Sequence, residues 1–145
     1  MNTAQIRTIL RNDVMASDCF RGVFPMDSLP KMDYGCYVIN THDGDEPGEH
    51  WLAVYNDHGH IEYFDSFGRP PLDKRLEFFL GDSYKYNKIQ LQQLFSNACG
   101  FYCVYYILHR VRGFTMEEII TVLKRSDGDF IAKDFVYRHY KHLFH

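Results

Sequence analysis

The chain has 145 residues, 46% of them hydrophobic and 17% aromatic, enough apolar material for one core and a single domain over residues 1–145. Its formal net charge is −3, which leaves no basic footprint for nonspecific nucleic-acid binding. No apolar run approaches the roughly 18 residues of a membrane span and the first residues lack a secretory pattern, so an intracellular protein with no membrane partner is expected.

In chain order, Thr3 is the expected N-cap of a short amphipathic helix reaching about Asn12, with Ile6, Ile9 and Leu10 on one face. The stretch "CFRGVFPMDSLP" carries Gly22, Pro25 and Pro30 and reads as irregular chain; "YGCYVINT" then reads as a strand. An acidic loop, "THDGDEPGE", follows. The runs "HWLAVYND" and "HIEYFDSF" flank Asp57-His58-Gly59 and predict an antiparallel hairpin whose second strand ends at Pro70-Pro71. "LDKRLEFFL" sets Leu72, Leu76, Phe79 and Leu80 at helical spacing, and "KYNKIQLQ" is a further strand candidate.

From Cys99 to Val111 the chain is apolar nearly all round, as in a helix buried in the middle of a domain, and Gly113 stops it. Thr115 with Glu118 predicts a capping box for "MEEIITVLKR", and "FIAKDFVYRHYKHLF" a last amphipathic helix with a basic face. The expected class is α+β: a small, mostly antiparallel sheet packed against helices, with a buried central helix beginning at Cys99.

The four cysteines, Cys19, Cys36, Cys99 and Cys103, contain no C-x-x-C pair and are too few for a disulfide scaffold, so free thiols are expected. An arbitrary cysteine is most often a small core hydrophobe. Cys99 departs from that at a helix start, where unpaired N–H groups and the helix dipole stabilise a thiolate. Gly100, a poor helix former, suits close approach of a substrate or another backbone. Cys103, one turn deeper, is given to the core.

A thiol nucleophile needs a base, and among eight histidines His50 stands at the start of an apolar strand. His42, His58 and His60 fall in loops or turns, His139, His142 and His145 on the last helix. His109 lies too far along the Cys99 helix. Asp65 is placed to fix the imidazole, because a hairpin turning at 57–60 brings it near His50 across the ladder. By itself, "DSFGRPP" would also explain that aspartate as a turn former. An oxyanion hole could use the Cys99 backbone N–H together with the side chain of Gln92 or Gln93. No zinc-type ligand spacing appears, and neither a metal nor a cofactor is expected.

With His50-Trp51, "YFDSFG" and "LQQLFSNACG" in the order His, Asp, Gln, Cys, the chain resembles the adenovirus-type cysteine protease family (adenain-like), which also occurs in related large DNA viruses and Polinton-type transposons; SUMO-specific proteases are more distant relatives. "FRGVFPMDSLP" and "GCYVINT" are similar to its N-terminal segment. The resemblance implies a thiol endopeptidase in which Cys99 attacks, His50 is base and acid, Asp65 orients His50 and Gln92 helps bind the oxyanion. The seven-residue spacing of the adenovirus branch selects Gln92, and the six-residue spacing of the SUMO-protease branch Gln93. Implied substrates are capsid and core precursors cut at glycine-containing sites during virion maturation, in the host nucleus or virion, by a monomer. Removal of ubiquitin-like modifiers, or a non-catalytic binding module, are the alternatives.

The adenovirus enzyme has glutamate at the place of Asp65, a swap that keeps the role. It takes DNA and a disulfide-linked viral peptide as activators. This chain is net acidic and has no cysteine between Cys36 and Cys99, so neither activator is supported by its charge or cysteine positions.

Overall fold

A computed structural model describes residues 1–44 and 50–144 of the chain. Much of the expected acidic loop, including Gly48 and Glu49, and also His145, lies outside the described residues. The helices are α1 (Thr3–Asn12), α2 (Lys74–Leu80), α3 (Cys99–Arg110), α4 (Met116–Leu123) and α5 (Gly128–Tyr140). Asn2, one residue earlier than expected, caps α1 in a capping box with Gln5, because its short amide reaches the Gln5 N–H. Asp73, Thr115 and Asp127 cap α2, α4 and α5, and Thr115 forms the expected box with Glu118. Among the described α-helices, α3 alone begins without a side-chain cap: Ala98 precedes Cys99.

Among the described residues, five strands form one sheet in the order β1 (Phe20–Pro25), β2 (Gly35–Asn40), β3 (Trp51–Asp57), β4 (His60–Phe64), β5 (Lys85–Tyr86). The three central strands are antiparallel, and each edge strand is parallel to its neighbour. The stretch expected to be irregular is therefore edge strand β1, with a bulge between Phe20 and Gly22. Gly and Pro mislead there because an edge strand tolerates both. Strand β5 holds only two residues of its expected run.

The hairpin turns through His58-Gly59, both at positive φ, between paired Asp57 and His60. Its second strand stops at Phe64, not at Pro70-Pro71, because Asp65 turns the chain: its backbone carbonyl accepts the Gly68 N–H at 2.7 Å.

Side chains alternate across the sheet. Val38, Ala53, Tyr55 and Phe64 pack against α1, α3, α4 and α5, while Tyr37, Ile39, Leu52, Val54 and Tyr63 pack against Leu76, Phe79 and Leu80 of α2. Both faces being covered, β2 and β3 read as almost continuous apolar runs. Leu72 precedes α2 and is exposed, so it does not share the face of Leu76. The central helix is buried from Cys99 to Leu108, as expected, and lies across β3. Among the described residues, no helix is long and apolar enough to cross a membrane.

Candidate active site

Strand β3 begins and β4 finishes at the same open end of the hairpin, and the two functional candidates flank it there: His50 immediately precedes Trp51, and Asp65 immediately follows Phe64. The ladder pairs Ala53 with Phe64. The ladder ends at that pair, so His50, shortly before Ala53, and Asp65, in the turn directly after Phe64, leave it at the same end with their side chains in contact. His50 Nε2 lies 2.8 Å from Asp65 Oδ1, with both residues buried, and the imidazole stacks on Phe67 at 4.9 Å.

A carboxylate only accepts, so Nε2 carries the proton and Nδ1 is left for the Cys99 sulfur. Asp65 Oδ1 also accepts the Phe67 N–H at 2.8 Å, and Arg69 Nε stands 3.5 Å from Oδ2.

Electrostatically the site favours a charge-separated pair. Burial opposes the imidazolium, yet hydrogen bonds with Asp65 and Cys99 lift His50 to about 9 from the ordinary 6.5. Burial likewise opposes the Cys99 thiolate, but His50 and the backbone N–H groups of Trp51 and Gly100 hold the thiol below its ordinary range. Gly100 leaves room that a side chain would fill: a Cβ there would stand 3.1 Å from Met1 Cβ and 3.2 Å from Trp51 Cδ1. The close neighbour is thus a pair of side chains. Cys103 is enclosed, as expected, and burial drives its thiol well above the usual value.

Of the two glutamines, Gln92 is buried and lines the same cleft as Cys99, His50 and Asp65, whereas Gln93 is exposed with its backbone N–H directed to Asp129. The cleft has a volume of about 690 Å³. Its wall includes Phe95, fully exposed at φ 65°, a conformation that bulky side chains rarely adopt. The other described histidines lie outside the cleft; His60 opens β4, and His109 hydrogen-bonds its own helix at the Tyr105 carbonyl. All four cysteines are free, with Cys19 and Cys36 sulfurs 3.5 Å apart in the core. Among the described residues, no group of three His, Cys, Asp or Glu side chains is placed to hold a metal ion.

Ser66 and Asn87 escaped the sequence reading. Asn87 pins the turn by donating to the Asp65 carbonyl at 2.6 Å and accepting the Asp65 N–H at 3.0 Å. It fell inside a stretch read only as a strand.

No protein-family model matches the chain, and no curated protein sequence matches it. Among solved structures it is similar to the ASFV pS273R protease, with a TM-score of 0.57 and 17% identity over 91% of this chain. The fold is that of this viral protease. The match spans 66% of the pS273R chain, about two thirds of its length.

Proposed function

We propose that this chain is a thiol endopeptidase of the adenovirus type, with Cys99 as nucleophile, His50 as acid and base, Asp65 as the orienting carboxylate, and Gln92 with the Cys99 N–H as oxyanion donors. The observation that carries the reading is the convergence of a lowered thiol, a raised imidazole and a buried carboxylate in one cleft. The Cys99 thiolate adds to the scissile carbonyl, and the negative charge on oxygen is met by the donors. The His50 imidazolium passes its proton to the departing amine, the C–N bond breaks, and a thioester remains. Water, deprotonated by the now neutral His50, then attacks the thioester and releases the Cys99 thiolate and a carboxylic acid, which gives up its proton to solvent, leaving His50 protonated again.

The resemblance supplies the substrate class: precursor proteins of a virion, cut at glycine-containing sites. The test is digestion of a proteome-derived peptide library by the wild-type protein and by Cys99→Ala, with mass-spectrometric mapping of the cuts. Cleavage by the wild type alone is expected, concentrated at glycine. Equal cleavage by both proteins would remove Cys99 from the reaction. In a parallel arm, a Cys99 adduct with a ubiquitin or SUMO electrophile would move the substrate class to modifier conjugates.

A further inference from the structure

Ser66 makes no contact with His50 or Cys99 among the described hydrogen bonds, yet it is buried and engaged with Gln92 and its neighbour Leu91. Its carbonyl accepts the backbone N–H groups of Leu91 at 2.8 Å and Gln92 at 2.9 Å, and its hydroxyl meets Gln92 Oε1 at 2.6 Å. The other end of the amide, Nε2, lies 2.8 Å from the Ser96 carbonyl.

These two contacts settle which way the amide faces. A carbonyl only accepts, so the atom beside Ser96 is the nitrogen, and the serine hydroxyl donates to the oxygen. One N–H of the amide is spent on Ser96, and the second makes no hydrogen bond among the described residues, in a side chain that lines the cleft. Occupying Oε1 also polarises the amide and strengthens that remaining donor.

We infer that Ser66 is a positioning residue for the oxyanion-binding amide of Gln92, holding its nitrogen toward the cleft through the hydroxyl bond to Oε1. The inference rests on the peptidase reading of the site. Without the hydroxyl, Oε1 is buried with no donor, and the amide gains by rotating toward other partners, which takes the free N–H off its target. Outright loss of an oxyanion donor costs about 10²–10³ in turnover; an amide left loosely oriented is expected to cost about tenfold or more, in kcat and not in KM.

The experiment is a double-mutant cycle on the full chain, with Ser66→Ala, Gln92→Ala and the pair, read as kcat and KM on a peptide that the wild type cleaves. The expected result is a loss in kcat for Ser66→Ala that disappears when Gln92 is already alanine. Iodoacetamide labelling of Cys99 should keep its wild-type pH profile in every variant, since the Cys99–His50 pair is untouched. An equal loss in both backgrounds would make Ser66 merely structural, and an unchanged kcat in folded Ser66→Ala would remove its role; either overturns the inference. Should Ser66→Ala fold poorly, Ser66→Cys keeps the side-chain shape with a slightly larger and weaker donor, and the same cycle with that variant decides by the same criterion. Failure of the peptidase reading would register differently, as no Cys99-dependent cleavage by the wild type.

Discussion

Cys99 and Cys103 sit one turn apart on the same face of α3, yet the first thiol is held below its ordinary range and the second is driven well above it. Exposure separates them little, at 7% and 1%. Burial works against the thiolate at both. The difference is in donors: His50, the Trp51 N–H of β3 and the Gly100 N–H in the uncapped first turn of α3 serve the first sulfur, whereas the Cys103 thiol makes no hydrogen bond among the described residues and has the negative charges of Cys99 and Asp65 nearby. A helix end left uncapped, next to four that are capped, is where an anion finds its partners.

The largest test of that contrast is to delete each sulfur in turn. Cys99→Ala should lower peptide cleavage by roughly 10⁵-fold or more. Cys103→Ala should leave kcat within about twofold and lower unfolding stability by about 1 kcal/mol, measured by denaturant titration. Next in size, Asp65→Asn keeps the shape but offers His50 a group that also donates, and kcat should fall about 10³–10⁴-fold in steady-state assays.

A third measurement bears on how far His50 lowers the Cys99 thiol. In His50→Ala the pH midpoint of Cys99 alkylation by iodoacetamide should move up toward the ordinary 9.0, with about tenfold slower labelling at neutral pH. Cys103 should stay unlabelled until the protein unfolds.

The pH dependence follows from His50. Its folded pKa, about 9, exceeds the ordinary 6.5, so folding binds its proton more tightly. The stability this contributes is complete below pH 6.5 and is lost as pH rises through about 9. Thermal unfolding followed from pH 6 to 10 should show that decline in the wild type and a flatter profile in Asp65→Asn. The smallest effect belongs to Gly100→Ala, whose added methyl presses on Met1 and Trp51; a two- to fivefold loss, on the order expected for slight overpacking, should appear in kcat/KM.

Much of this was legible in the residues, because hydrophobic period and turn chemistry are local. The hairpin, the buried α3 and the Thr115 box all follow from short-range pattern, and the hairpin alone was enough to bring His50 and Asp65 together. Pairing with a distant partner is not written that way. β1 joins β2 through residues that mimic a loop, and only the edge position excuses Gly22 and Pro25. The choice between Gln92 and Gln93 was likewise invisible locally, since two adjacent glutamines have the same chemistry, and what separates them includes contact of Gln92 with Ser66, distant in sequence.

The turn after β4 binds Asp65 to His50 on one side and Ser66 to Gln92 on the other, and Gly68 lets it lie against the backbone of Ile89 and Gln90, where a Cβ would come within 2.4 Å. Under the proposed mechanism, the base and the oxyanion donor consequently share one anchor of two adjacent residues. Displacing it would detune both together, so damage to this turn should silence the site at a stroke, where separate anchors would let it degrade by degrees. Any attempt to retune one half of the chemistry through this turn would have to retune the other with it.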